Sequence, residues 1–122
     1  MFLKDVLTMV PTSSDQRRSL ARTGQTDNEA AAVRLRAARI ACGLTQKQLA
    51  DAAGVGATQI INMEKARSFP SRAVIVYLSL EHRLDANFLI LGQYAQLPSD
   101  VQEPLFLALT ELSGESADSR EA

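Results

Sequence analysis

Apolar positions along most of the chain recur with the spacing of amphipathic helices, and no useful stretch alternates as a half-buried strand does. Alanine, leucine, glutamine and arginine, which favour helix, dominate the same stretches. The pattern predicts an all-α fold. The predicted helices cover residues 29–42, 46–53, 57–65, 72–82, 84–91 and 102–112.

This pattern divides the chain into three parts. Residues 1–28 are predicted to be an N-terminal arm and linker, with a short amphipathic helix at 2–10 followed by a polar stretch containing Pro, Ser, Thr, Gly and Asn. Residues 29–92 form the main helical domain. Residues 93–122 supply a C-terminal helix at about 102–112 and an acidic tail.

Residues at the helix ends support these boundaries. Asn28 is a candidate N-cap for the first helix of the domain, and Gly43 is suited to end it. Thr45 and Gln48 have the spacing of a capping box, in which each side chain bonds to a backbone N–H that the helix leaves without a partner. Ser71 is placed to cap the helix at 72–82.

Two of the predicted helices are separated only by the residues GVG at 54–56. Helices joined by a short turn that contains glycine form a helix-turn-helix. Gly54 permits the left-handed conformation that such a turn requires. Ala50 is small where the two helices approach each other, and Val55 and Ile60 are placed to fill the angle between them.

Residues 33–92 resemble the phage-repressor-like helix-turn-helix regulators, also called the Xre or Cro-repressor family. The resemblance runs through "LRAARIACGLTQKQLADAAGVGATQIINMEKARSFPS" and ends at "FLILG". It implies a five-helix DNA-binding domain at 29–92, usually dimeric on an operator with two-fold symmetry. The implied partner is double-stranded DNA with an inverted repeat, and the third helix, residues 57–65, would enter its major groove.

The resemblance implies that the third helix reads the bases. Asn62 can make a bidentate contact with adenine, whereas Ala57 and the methyl group of Thr58 suit the methyl group of thymine. The implied base-reading residues are Ala57, Thr58, Gln59, Ile61 and Asn62.

Phosphate contacts and one ion pair follow from the same resemblance. Gln46 opens the second helix, where the family places a glutamine against the phosphate backbone. Glu64 matches an acid that pairs in the family with an arginine of the first helix, here Arg39, so a structural ion pair is expected. The implied phosphate-binding residues, which would position the protein without reading sequence, are Arg36, Gln46, Lys65, Arg67 and Arg72.

Three positions depart from the family pattern. Gly56 stands where the family usually has a serine or threonine to cap the third helix, and glycine is a weaker cap. Ile61 stands where a polar residue normally faces the groove, and Ala66 replaces a glycine.

The predicted helix at 72–82 is apolar on nearly every side, so more than one neighbour must cover it. The five-helix core would cover Ile75 and Leu78. We expect a homodimer to cover the remainder, with the N-terminal segment and residues 97–113 extending the interface; alternatively, both segments fold back on their own chain. The expected interface residues are Val74, Tyr77, Leu80, Leu105, Leu109 and Leu112.

The net charge of −1 conceals an asymmetry along the chain. Residues 29–92 carry eight Lys or Arg and five Asp or Glu, whereas residues 93–122 carry one Arg and six acids. Between Arg34 and Arg72 there are seven basic residues and two acids. This local excess favours a DNA-facing patch over an ordinary solvated face.

The composition gives little support for an enzyme. Cys42 and His82 are the only residues of their kinds, so no disulfide, metal site, cofactor or Ser-His relay is expected. No run approaches the ~18 apolar residues of a membrane-spanning helix. We expect a protein of the bacterial or phage-infected cytoplasm, associated with the nucleoid.

The sequence therefore predicts a sequence-specific transcriptional regulator, a dimeric repressor that inserts residues 57–65 into the major groove of a palindromic operator. The alternative is a protein-interaction module, an antitoxin or antiactivator, that binds a regulatory protein through the helix-turn-helix surface. Ile61, the apolar helix at 72–82 and the acidic tail support this alternative.

Overall fold

The computed structural model describes the backbone of residues 13–121 and the side chains of residues 13–114. This part of the chain contains seven α-helices and no strand, which confirms the predicted all-α class. The short helix predicted at residues 2–10 lies outside it. The helices are α1 (Ser14–Ala21), α2 (Asn28–Ala41), α3 (Gln46–Ala53), α4 (Ala57–Glu64), α5 (Arg72–His82), α6 (Ala86–Leu91) and α7 (Ser99–Glu121).

Helix α2 lies at the centre of the fold. It contacts α4, α6 and, most extensively, α7. Ala30, Ala31, Ala37 and Ala38 on this helix are completely buried. Because these side chains are small, neighbouring helices can approach the backbone of α2 closely.

Helices α3, α4 and α5 begin at the residues that the sequence indicated. Thr45 Oγ1 accepts from the Gln48 N–H at 3.0 Å and Gln48 Oε1 accepts from the Thr45 N–H at 2.9 Å, which completes the predicted capping box. Ser71 caps α5 as expected. The cap of α2 is Asp27 rather than Asn28, because the Asp27 carboxylate accepts from the Ala30 N–H.

Residues 14–21, which the sequence analysis placed in a linker, form helix α1. Ser13 caps it, and it packs against α7. Arg17 Nη1 donates to Gln102 Oε1 at 3.2 Å, and the Arg17 guanidinium lies 5.3 Å from the centroid of the Phe106 ring. The linker interpretation was wrong because α1 is mostly polar and its partner lies far away in the sequence.

Arg34 of α2 holds the end of α1 in place. Its side chain is completely buried, and its guanidinium donates only to backbone carbonyl oxygens. Nε lies 2.8 Å from Ala21 O, Nη1 lies 2.9 Å from Ile90 O, and Nη2 donates to the carbonyls of Arg22 and Gln25. Burial lowers the pKa of Arg34 to about 10, so the group stays charged at neutral pH.

The end of α6 meets the end of α1 beside this guanidinium. Thr23 Oγ1 donates to Gly92 O at 2.6 Å, and the Gly24 N–H donates to Leu91 O at 2.8 Å. A Cβ atom on Gly92 would lie 2.7 Å from Ala21 O and 2.8 Å from Arg34 Nη2, and the φ angle of Gly92 is +73°. Both the close approach and the backbone conformation therefore require glycine.

Helix α7 is longer than the predicted 102–112. The residues Val101, Leu105, Ala108, Leu109 and Leu112 recur with helical spacing and are buried. Pro104 lies in the second turn of α7. Because proline has no backbone N–H, the Asp100 carbonyl lacks its usual helical partner. Both residues are on the exposed side of the helix, where water can replace that bond.

Four of the six residues expected at a dimer interface are instead covered by their own chain. Val74 and Leu105 are 0% exposed, Leu109 is 1% exposed and Leu112 is 9% exposed. The expectation was wrong for these four because an apolar helix face does not reveal whether its own chain or a second copy covers it. The alternative, in which residues 97–113 fold back, describes α7 correctly.

Arg34→Lys tests the role of the buried guanidinium. A single ammonium group cannot reach four carbonyls, so buried acceptors would lose their partners. We expect the free energy of unfolding, measured by urea denaturation, to fall by about 2–3 kcal/mol. Arg36→Lys, the same substitution on the exposed side of α2, should change it by less than about 0.5 kcal/mol. Similar small effects at both positions would contradict this role for Arg34.

Candidate nucleic-acid interface

The corner between α3 and α4 is built from local backbone interactions. Gly54 ends α3 in the left-handed conformation, with a φ angle of +75°, and the Val55 N–H donates to Ala50 O at 3.0 Å. Gly56 begins α4 but has no side chain with which to cap it. Gln59 Oε1 accepts from the Gly56 N–H at 3.1 Å instead. The turn thus forms as predicted, with only the glutamine half of a capping box at α4.

The two faces of α4 have different surroundings. Ile60 is completely buried and Met63 is 4% exposed, so these residues attach the helix to the core. The outward face carries the five candidate base-reading residues. Of these, Ala57, Thr58 and Gln59 are exposed, and Ile61 and Asn62 are half-buried.

Two candidate base readers already have hydrogen-bond partners within the chain. Gln59 Oε1 accepts from the Gly56 N–H at the start of α4, and Asn62 Oδ1 accepts from Arg67 Nη1 at 3.4 Å. The capping role of Gln59 was not predicted from the sequence. The sequence did contain an indication of this role, because Gly56 has no side chain that can cap the helix and a glutamine follows three residues later.

Glu64 at the end of α4 forms a salt bridge with Arg39 of α2. Arg39 Nε lies 2.6 Å from Glu64 Oε2, and Arg39 Nη2 lies 3.0 Å from Glu64 Oε1. The side chains are 14% and 4% exposed, respectively. Arg39 Nη1 also donates to Leu44 O at 3.0 Å. The pair therefore connects three segments: helix α2, helix α4 and the loop that precedes α3.

Gln46, the first residue of α3, belongs to the same cluster. Its Nε2 donates to Glu64 Oε1 at 3.1 Å. The resemblance placed this side chain against phosphate, and the structure shows that one of its amide hydrogens already has a protein acceptor. The second hydrogen of the amide is the one that a phosphate contact would use, and that contact stays a prediction.

The other candidate phosphate-binding residues, Arg36, Lys65, Arg67 and Arg72, are exposed. Lys65 and Arg67 directly follow α4, and Arg72 is the first residue of α5. Two of the seven basic residues that the sequence analysis counted between Arg34 and Arg72 do not belong to a surface patch. Arg34 is buried against carbonyls, and Arg39 is engaged with Glu64.

Within the described residues there is no cluster of His, Cys, Asp and Glu that could hold a metal ion. Burial raises the pKa of the Cys42 thiol to about 11, so the thiol stays protonated at neutral pH. No helix in the described part of the chain is both long enough and apolar enough to cross a membrane.

Comparison with known protein families identifies a helix-turn-helix domain in this chain. The model of a helix-turn-helix domain family matches residues 30–79, a stretch that contains α3, the turn and α4. No curated protein and no solved structure matches the chain. The chain thus contains a helix-turn-helix domain, which indicates a DNA-binding regulator.

Glu64→Gln tests the buried pair. The substitution removes the negative charge and leaves the Arg39 guanidinium largely buried without a counterion. We expect the free energy of unfolding to fall by about 3 kcal/mol in urea denaturation. Asp51→Asn is the matched control because it breaks the exposed Lys47–Asp51 pair, where we expect a loss below about 1 kcal/mol. Equal losses would show that burial does not strengthen the Arg39–Glu64 pair.

Proposed function

We propose that this chain is a sequence-specific DNA-binding repressor of the phage-repressor-like (Xre or Cro-repressor) type. The observation that carries the proposal is the charge distribution around α4. Glu64, the only acid of this helix, is neutralised by Arg39, whereas Lys65 and Arg67 beyond its end are exposed. A neutral outward face can contact base edges in a DNA groove, and exposed cations beside it can bind the phosphates on either side of the groove.

In this proposal α4 lies in the major groove, which is wide enough to admit a helix. The outward residues Ala57, Thr58, Gln59, Ile61 and Asn62 face the base edges. The phosphates are bound by Arg36, Lys65, Arg67 and Arg72, together with the second amide hydrogen of Gln46. Two copies of α4 about 34 Å apart would occupy successive major grooves of an inverted repeat and block a promoter.

The proposed dimer uses the exposed side of α5. Val76 is 43% exposed and Leu80 is 75% exposed, and Tyr77 between them is half-buried. An open groove lined mostly by Ala52, Ala53, Ala73, Val76 and Tyr77 continues this strip toward α3. Tyr77 and Leu80 remain from the six interface residues that the sequence indicated, and Val76 joins them.

A second candidate function is a protein-interaction module, such as an antitoxin or an antiactivator, that binds a regulatory protein through the same helix-turn-helix surface. The observation that favours it is Ile61, a half-buried apolar residue among the outward residues of α4. Either function would place the protein in the cytoplasm, and the repressor would act at the nucleoid.

Selection from a random duplex library at two salt concentrations tests the repressor against the interaction module. We expect the purified chain to enrich one inverted repeat and to hold it more weakly at the higher salt concentration, because phosphate binding releases counterions. Retention without enrichment, or no retention, would contradict sequence-specific binding and leave the interaction module as the better candidate.

Two variants distinguish base contacts from phosphate contacts on the selected duplex. Asn62→Ala should lower discrimination at one base position by about 1–3 kcal/mol. Arg72→Gln should weaken binding to all sequences alike and reduce the salt slope by about one unit. Fluorescence anisotropy on matched and mismatched duplexes measures both effects. A change in sequence preference for Arg72→Gln would contradict its phosphate role.

Leu80→Glu tests the dimer. A carboxylate in an apolar interface would have to lose its hydration, so we expect the dimer to dissociate to a monomer in sedimentation equilibrium. Ile40→Glu is the matched control, because Ile40 is also a partly exposed apolar residue, 37% exposed, but lies on α2. Loss of the dimer in both variants, or in neither, would argue against an interface at α5.

A further inference from the structure

We infer that α4 selects an A·T-rich half-site, and that it does so largely through the 5-methyl groups of thymine. This inference rests on the proposed function and names the base pairs that the same helix prefers. It comes from the atoms that α4 presents outward rather than from the helix-turn-helix arrangement.

The methyl-bearing residues of α4 lie side by side on its outward face. The helical period places Ala57, Thr58 and Ile61 within about 100° of one another around the helix axis, away from the buried Ile60 and Met63. Ala57 and Thr58 are exposed and Ile61 is half-buried. The three side chains together form a methyl-rich strip, and the hydroxyl group of Thr58 is its one polar side-chain group.

The polar side chains beside this strip, Gln59 and Asn62, already have hydrogen-bond partners within the protein. The Gln59 amide oxygen accepts from the Gly56 N–H, and the Asn62 amide oxygen accepts from Arg67. Hydrogen bonds within the chain therefore compete with base contacts at both positions. The methyl groups of the strip face no such competition.

The cations near α4 lie beyond its last turn. The helix itself, ATQIINME, contains no arginine or lysine, and these are the residues that most commonly read guanine in the major groove. Lys65 and Arg67 follow the C-terminal end of α4, whereas Ala57 and Thr58 lie at its N-terminal end. The reading surface of α4 itself therefore has no arginine or lysine to select a G·C pair.

A·T pairs offer this surface a favourable contact. Thymine carries a methyl group on the major-groove edge, whereas cytosine carries a hydrogen at the same carbon. Burial of one such methyl group against an apolar side chain should change affinity by about fourfold. Two or three contacts of this kind in each half-site would supply a substantial part of the discrimination.

Replacement of thymine by deoxyuridine tests the inference, because it removes the methyl group and keeps every hydrogen-bonding group. The chain of residues 1–122 is bound to its selected duplex, and single deoxyuridine replacements are scanned through one half-site by fluorescence anisotropy. We expect an A·T-rich half-site in which at least two replacements each weaken binding by about fourfold.

Variants of the protein assign the contacts. Thr58→Ser removes one methyl group and keeps the hydroxyl, so it should abolish the deoxyuridine penalty at one position. Ile61→Val shortens the side chain without adding a polar group and should reduce the penalty at another position. Arg72→Gln is the control, because it should weaken binding to both duplexes and leave every penalty unchanged.

The outcomes distinguish this inference from the proposed function. Enrichment of a half-site with guanine or cytosine along α4, or equal affinity for thymine and deoxyuridine duplexes, would overturn methyl reading and leave the repressor proposal standing. Penalties that persist unchanged in both Thr58→Ser and Ile61→Val would also overturn it. Failure to enrich any sequence would overturn both.

Discussion

A buried arginine with backbone carbonyls as its partners is the constraint on which the arrangement of the outer helices depends. Removal of a guanidinium from water is costly unless its N–H groups find acceptors. Arg34 finds them at the ends of α1 and α6, where helices leave carbonyl groups without partners. These ends also carry the negative pole of the helix dipole, which favours a cation. One side chain thereby satisfies two helix ends and fixes both against α2, and the resulting close approach restricts position 92 to glycine.

The same central helix uses a second arginine for a different purpose. Arg39 lies farther along α2 and pairs with Glu64, the last residue of α4. Gln46 at the start of α3 donates to the same carboxylate. Both helices of the corner are therefore tied to α2 at a single acidic group. The pairing also neutralises the one acidic side chain of α4, the helix proposed to read DNA. The Arg39–Glu64 contact therefore both stabilises the packing of these helices and removes a negative charge from the surface.

Separate faces of the molecule can then serve separate purposes. Helices α1 and α7 pack together, and α7 covers one side of α2 with an apolar stripe that includes the residues from Val101 to Leu112. Helix α4 keeps a neutral, methyl-bearing face outward, and α5 keeps Val76 and Leu80 outward. The proposed base-reading face and the proposed dimer contact thus lie on different helices, whereas Arg72 at the start of α5, a proposed phosphate contact, also borders the groove beside the dimer contact. Apart from Arg72, binding of DNA and association of two copies would use different side chains.

The sequence by itself determined the all-α class, the corner between α3 and α4, and the caps at Thr45 and Ser71. These features depend on bonds between residues a few positions apart, so their signals are local. Only the tertiary structure decided that residues 14–21 form a helix, that Arg34 is buried, and that Val74 rather than Ile75 enters the core fully. Each of these depends on partners distant in the chain, as Arg34 and Ile90 are. Hydrophobic periodicity shows that a face needs a cover, and contacts between distant segments decide what covers it.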